Sequence, residues 1–329
     1  MSDVVTFGEI MLRLSPPGAR RIAQAEHFEV TFGGAEANVA VCIAQLGGNA
    51  DFVTKLPHGA LGQRALDELR RTGVGVSRIV RGGERLGVYF LEHGASQRPG
   101  TVIYDRAHSA MAEAQPGEFD WDAIFAGARW FHWSGITPAL SESAAALTAE
   151  ACAAAKRHGM SVSFDMNYRA KLWSRERAGA VLAPLMQHVD LCITSVEEAR
   201  TVFGIDAPDS EEHAAASLCA RFGFQTVAFT ARTGDSASAT SWGAMLLAGG
   251  RAHRSRRYEI QIVDRVGAGD SFSGALIFSL MCGDEPQRAV DFAVAASALK
   301  HTISGDFALL SLGEVEALAA GASGGRVQR

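Results

Sequence analysis

The sequence predicts an α/β fold: a doubly wound, mostly parallel sheet flanked by helices, with a small β-sheet lid. Three observations predict it. Short apolar runs alternate with helix-period segments along most of the 329 residues, as βαβ crossovers require. Two segments, about 10–32 and 84–108, break that alternation with strand-like, turn-rich sequence, as an inserted sheet over the strand ends would. Close glycines, Gly33-Gly34 and Gly267-Ala268-Gly269, introduce helical patterns near the two ends of the chain.

Taken in order, Val4–Phe7 reads as a strand, residues 36–46 as a helix closed by Gly47-Gly48, 52–56 as a strand, and 61–72 as a helix ending at Gly73. Residues 86–91 and 101–104 read as a hairpin around 94–100. Then come a strand at 130–133, a helix at 141–158, a strand at 161–165, a helix at 175–189 and a strand at 191–195. A helix through Glu198, another at 210–222 and a strand at 226–230 continue the alternation. A strand-like run at 262–263 enters the second glycine group, and a helical pattern follows through Leu276, Ile277 and Leu280. One domain over 1–320 is expected, with the two lid segments inserted. The small, polar tail 321–329 is expected to be disordered.

A net charge of −5 gives no overall footprint for nucleic acid. The basic cluster at 251–257 reads as a solvated strand edge. The start lacks a signal peptide's basic and apolar regions, and no run approaches the ~20 apolar residues of a membrane helix. A cytoplasmic protein without a membrane partner is expected. Cys42, Cys152, Cys192, Cys219 and Cys282 are odd in number, scattered and free of any C-x-x-C pair, as expected of free thiols.

The segment from Ile262 to Gly274 carries the most chemistry. Glycines at a helix start let backbone amides crowd toward an anion, and the helix dipole adds positive charge. Asp270 in the first turn is suited to accept a proton from a hydroxyl; taken alone, Asp270 and Ser271 read more readily as a helix cap. A dinucleotide G-x-G-x-x-G fails because Phe272 stands where glycine is needed, and no Walker-type G-x-x-x-x-G-K-[ST] occurs. Gly33 and Gly34 suit an ordinary turn into a helix start, or bare backbone offered to a polyol, with Asn38 to bond its hydroxyls. Arg106 and Arg169 suit a carboxylate, which a guanidinium grips in a bidentate way; taken singly, each reads more readily as structural, Arg106 paired with Asp105 or Glu113 and Arg169 lying along the surface.

Asp264 with Gly267-Ala268-Gly269-Asp270-Ser271-Phe272, and Gly33-Gly34-Ala35-Glu36-Ala37-Asn38, resemble the C-terminal and N-terminal signatures of the ribokinase-like (PfkB) carbohydrate kinases. The resemblance covers nearly the whole chain and implies the ribokinase-like fold, ATP and Mg²⁺. It implies Asp270 as base, with Gly267, Ala268 and Gly269 as an anion hole of backbone amides. Ser195-Val196-Glu197-Glu198 resembles the family's N-x-x-E motif, with Ser195 in place of Asn, and implies that Glu198 organises Mg²⁺ and phosphates through water. Tyr89, Tyr104-x-Arg106, Asp165-x-Asn167-x-Arg169, Thr230-x-Arg232 and the stretch from Lys300 to Phe307 together resemble the 2-keto-3-deoxygluconate kinases. That implies a sugar-acid site of Gly34, Tyr89, Tyr104, Arg106, Arg169, Asp270 and Asp306. It also places Asn167 and Arg169 toward the nucleotide phosphates, and Thr230, Arg232, Ser236 and Ser238 on the nucleotide side. Ala231 and His58 depart from the usual residues. The alternatives are another PfkB sugar kinase, of fructokinase or ribokinase type, and a non-catalytic sugar-acid sensor. Lid sheets in this family pair across a dimer, so a homo-oligomer through outward faces of Val88, Phe90 and Val102 is expected.

Overall fold

The computed structural model describes residues 2–207, 210–234 and 236–322. Its large sheet is built on six parallel strands: β1 (Val4–Phe7), β4 (Ala50–Val53), β9 (Trp130–Ser134), β10 (Ser161–Asp165), β11 (Leu191–Thr194) and β12 (Thr226–Thr233). Three antiparallel strands, β13 (Ala239–Ala248), β14 (Arg251–Arg254) and β15 (Tyr258–Gln261), extend it beyond β12. The order is β14-β13-β12-β11-β10-β9-β1-β4, with β15 beside β13.

Period-two alternation sends each strand's side chains to two separate cores. Val4, Leu191, Ile193 and Ala228 pack with helices α1 (Ala35–Gln45), α2 (Ala60–Arg71), α8 (Ala268–Met281), α9 (Pro286–Lys300) and α10 (Leu312–Ala319). Val5, Phe7, Cys192, Val227 and Phe229 pack with α3 (Trp121–Phe125), α4 (Glu142–Arg157), α5 (Arg175–Leu182), α6 (Val196–Phe203) and α7 (Glu211–Phe222) on the other face. The doubly wound sheet expected from the sequence is present. No helix among the described residues is long and apolar enough to cross a membrane.

A second sheet of order β3-β2-β7-β8 lies over the carboxyl edge of the first: β2 (Met11–Ser15), β3 (Glu29–Gly33), β7 (Val88–Glu92) and β8 (Thr101–Asp105). These strands fall in the two segments that broke the alternation, with β3 running one residue past 32. Val102 does not face outward as expected. Strand alternation puts it with Tyr104 on the inner face, beside Met11, Tyr89 and Leu91. Ile103 and Val30 are the exposed pair, at 50% and 54%, while Val88 and Phe90 are half-buried. At the hairpin tip, Ser96 accepts a bond from the Ala237 amide (2.7 Å) and donates its own amide to Ser238 Oγ (2.9 Å).

Other differences have local causes. The helix expected over 175–189 ends at Leu182 and tightens into a 3₁₀ turn, Ala183–His188, whose second residue is Pro184; proline lacks the N–H that a continuing helix needs. The 52–56 strand splits at Thr54, and β5 (Lys55–Leu56) leaves to pair with β6 (Val80–Arg81). The strand before α8 ends at Gln261, so 262–267 is a loop. The basic cluster at 251–257 does include an edge strand, β14, whose Arg254 reaches Glu211 and Glu212. The expected disordered tail lies outside the described residues, apart from Gly321 and Ala322.

Helix α8 packs closely on α1 because Gly274 has no side chain. A Cβ there would stand 2.9 Å from Cys42 Cβ and 3.0 Å from the Val39 carbonyl. Alanine gains ~1 kcal/mol of helix propensity over glycine, but forced overpacking costs ~1–3 kcal/mol. Gly274→Ala is therefore expected to lower Tm. A Tm equal to or above wild type would show that the α1–α8 seam has room to spare.

Candidate active site

The lid faces the carboxyl ends of β10, β11 and β12 across a cleft of about 620 Å³. Open α/β sheets bind ligands at this edge. Helices α1 and α8 both start at the cleft, and a helix start leaves backbone amides without intrahelical partners.

Gly267 caps α8 in the left-handed region (φ 81°), where glycine is favoured. A Cβ on it would lie 2.0 Å from the Asp306 carbonyl. The Ala268 amide donates weakly to the Arg265 carbonyl (3.3 Å) and the Ser271 amide to Gly267 (2.8 Å). The amides of Gly269 and Asp270 are left without a main-chain acceptor among the described residues. Gly269 is open on its Cβ side, whereas the Ala268 side chain is buried away from the cleft. An anionic group placed here meets free N–H groups and the positive end of a 14-residue helix.

Asp270 Oδ2 accepts a bond from Asn38 Nδ2 at 2.6 Å. Asn38 is itself oriented by the Gly34 amide, which donates to its Oδ1 (3.3 Å). Burial is the largest influence on the Asp270 carboxyl and pushes its pKa up to about 7, against the opposing pull of Asn38 and Arg169. Asp165, at the end of β10, is pushed well above the usual carboxylate range by burial and by the neighbouring Glu198 and Asp270 charges, while Ser273 Oγ donates to it at 3.2 Å. Glu36 is buried with its Oε1 accepting from Ser134 Oγ (2.6 Å) and Thr137 Oγ1 (2.8 Å), and burial raises its pKa too.

The glycine pair on the α1 side is required by close approach. A Cβ on Gly33 would fall 1.9 Å from Asp306 Oδ2, and one on Gly34 would fall 1.9 Å from the Glu9 carbonyl. Asp306 Oδ2 accepts from the Tyr89 hydroxyl at 2.6 Å. Its Oδ1 accepts from Arg13 Nη1 at 2.7 Å, and Arg13 Nη2 also reaches Asp264 Oδ2 at 2.6 Å.

Arg106 lines the cleft, stacked 5.5 Å over the Tyr104 ring. Its acidic partner is neither Asp105, which pairs with Arg85, nor Glu113, which pairs with His108. Nε and Nη2 of Arg106 instead donate to Glu9 Oε2 at 2.8 and 2.5 Å, and Ser109 bonds the other Glu9 oxygen. Among the described residues, Nη1 and the second N–H of Nη2 have no acceptor and are left to meet a ligand. Arg169 is exposed at the cleft and has no ion pair among the described residues; its charge is felt by both Asp165 and Asp270. Asn167 holds a positive φ of 42° at the end of β10, a conformation that Asn tolerates better than most residues and that recurs at ligand sites.

On the other side, Thr230 and Glu198 line the same cleft. Ser195 does not line it. Its hydroxyl caps α6, accepting from the Glu198 amide and donating to Glu198 Oε2, both at 3.2 Å. Arg232 lies in an adjoining cavity of about 400 Å³ with Gly234 and Ser236; Val102, Arg265 and Val266 line both spaces. The charged cleft residues left without a role by the sequence are Glu9, Glu36, Asp165, Lys171 and Arg265. Glu9 and Asp165 were findable, since each stands at or just past a parallel strand's carboxyl end.

The chain is similar to known proteins along nearly all of its length. A structure of 2-dehydro-3-deoxygluconokinase from Thermotoga maritima superposes with a TM-score of 0.96 at 51% identity, covering 97% of this chain and 98% of that one. A 2-dehydro-3-deoxygalactonokinase of Haloferax volcanii is 39% identical over 326 residues, 98% of each chain. A 2-dehydro-3-deoxygluconokinase of Thermoproteus tenax is 30% identical over 310 residues, 93% of this chain and 90% of its own. Residues 1–308 match the family described as pfkB family carbohydrate kinase, and the chain belongs to that family.

Proposed function

We propose that the chain transfers the γ-phosphoryl group of ATP to the terminal hydroxyl of 2-keto-3-deoxygluconate, giving 2-keto-3-deoxy-6-phosphogluconate. The observation that carries this reading is the placement of Asp270: its carboxylate stands in the first turn of α8, oriented by Asn38 at 2.6 Å and one residue from the open Gly269, with burial raising its pKa toward neutrality. A base near neutrality matches a proton transfer at working pH. The likeness to sugar-acid kinases from Thermotoga, Haloferax and Thermoproteus supports the choice of substrate.

In the mechanism, Arg169 and the free Nη1 of Arg106 orient the acid's carboxylate, and Tyr89 and Asp306 meet its hydroxyls. The distal hydroxyl then lies toward Asp270. Its oxygen attacks the γ-phosphorus as its proton passes to the Asp270 carboxylate, and the bond to the departing ADP breaks. The Gly269 and Asp270 amides balance charge on the transferring group. No group of three or more His, Cys, Asp or Glu among the described residues is arranged to hold a metal. A Mg²⁺ arriving with ATP would be held by Glu198, which faces the cleft, as an outer partner through water, and it would supply charge to neutralise the phosphates. The absence of a membrane-crossing helix among the described residues fits a cytoplasmic enzyme.

One observation favours a neutral-sugar kinase of the same family: Glu9 already neutralises Arg106. An ADP-release assay over neutral sugars and keto sugar acids decides between them, and the proposed reading requires a preference for the acids. Arg106→Ala alone strands Glu9, so the test of Arg106 pairs it with Glu9→Gln. The double variant is expected to raise KM for the keto acid about ten- to hundredfold, since a charge-assisted bond is worth ~1.5–3 kcal/mol. Activity on fructose, where measurable, falls far less. Equal losses on both in a stably folded protein would return Arg106 to a structural role.

Asp270→Asn is expected to cut kcat by orders of magnitude. Wild-type kcat/KM should rise with pH through about 7 as Asp270 ionises, and Asn38→Ala should shift that limb to higher pH by removing the bond that favours the anion. The same carboxyl has a folded pKa above its unfolded value of about 4. Folding therefore takes up a proton between the two, and stability falls as pH rises through that window. Asp270→Asn should accordingly raise Tm at pH 8. An unchanged Tm with a flat pH profile would remove the perturbed carboxyl from the account.

The exposed Val30 and Ile103 on the outer lid face suit a lid-to-lid dimer. Light scattering at micromolar concentration should give twice the chain mass, and a monomer would refute this assembly.

A further inference from the structure

Lys300, the last residue of α9, is fully buried at 0% exposure. Lysine is almost never buried without an acidic partner, yet no carboxylate lies within ion-pair distance of its Nζ among the described residues. Its ammonium donates to two main-chain carbonyls, Ile303 at 3.1 Å and Asp264 at 3.4 Å. The end of α9 adds the negative pole of a helix. Burial lowers the pKa, while the Asp264 and Asp306 charges oppose that.

The two carbonyls belong to different loops. Asp264 stands three residues before Gly267, and its carboxylate accepts the amides of Val266 (3.1 Å) and Gly305 (3.0 Å). Ile303 stands three residues before Asp306, whose own carbonyl presses against Gly267. The ammonium thus joins the loop that starts the anion hole to the turn that carries Asp306. Carbonyl oxygens gathered around one compact positive charge are what a potassium or ammonium ion accepts in place of its hydration shell.

We propose that Lys300 is a built-in monovalent cation, a positioning residue that holds the anion-hole loop and the Asp306 turn in register, so that turnover needs no potassium. This rests on the kinase reading above. The test measures ADP release with Mg²⁺ as the only metal and either potassium or tetramethylammonium as bulk cation at equal ionic strength. Wild type is expected to turn over equally in both, within about twofold; a tenfold dependence on potassium, ~1.4 kcal/mol in barrier, overturns the proposal. Lys300→Ala is expected to lose at least tenfold in kcat in tetramethylammonium and to regain most of it in ammonium or potassium. Loss without rescue, or no loss, overturns it. Melting gives a readout independent of turnover: potassium or ammonium should raise the Tm of Lys300→Ala over its value in tetramethylammonium and leave wild type unmoved. Absence of ADP release from wild type on every sugar in every salt would sink the kinase reading instead, with the melting comparison still deciding the cation.

Discussion

The working geometry depends on one buried guanidinium. Arg13 sits on a lid strand at 2% exposure, yet both of its ion-pair partners belong to the opposite side of the cleft. Asp264 starts the loop into the anion hole, and Asp306 projects between Gly33 and Tyr89. Taking such charges out of water costs several kcal/mol per ion, and only full hydrogen bonding makes that tolerable. Here the bonding is close to full: Nε reaches Ser15 Oγ at 2.9 Å, and Nη2 approaches His93 Nε2 at 3.1 Å. The lid is thereby seated on the catalytic loop rather than merely lying over it.

A second constraint is the crowding of carboxyl groups. Asp165, Glu198 and Asp270 stand close enough to raise Asp165 together with burial. Without a ligand such crowding is a strain on the fold; a cleft of this kind is complementary to a polyphosphate only when cations accompany it. Arg169 and Lys171 at the rim supply part of that positive charge.

What was legible in the sequence was mostly local. Glycines before a helix, an acid in its first turn and the alternation of strand and helix all depend on neighbours in the chain, so the doubly wound sheet and the place of Asp270 in a helix's first turn could be read directly, while its reading as a base came from the family resemblance. The pairs that define the electrostatics could not. Arg13 and Asp306 are 293 residues apart, and Arg106 meets Glu9 across 97, so no spacing rule links them. Ser195 shows that one position can carry two readings: read for nucleotide contact, it also caps α6, a role that its position before Glu198 fits equally well. The antiparallel edge was obscured because β13 mixes small, polar and apolar residues without a clean period.

Asp306 also ties together three distant stretches of the gene. Its carboxylate occupies the space a side chain on Gly33 would need, and its carbonyl the space of one on Gly267. No single substitution at either glycine leaves the other contact intact without moving this turn. Evolutionary drift at these positions is therefore closed to one-step paths, and divergent relatives with a different residue at one of them are expected to have rebuilt the other two together.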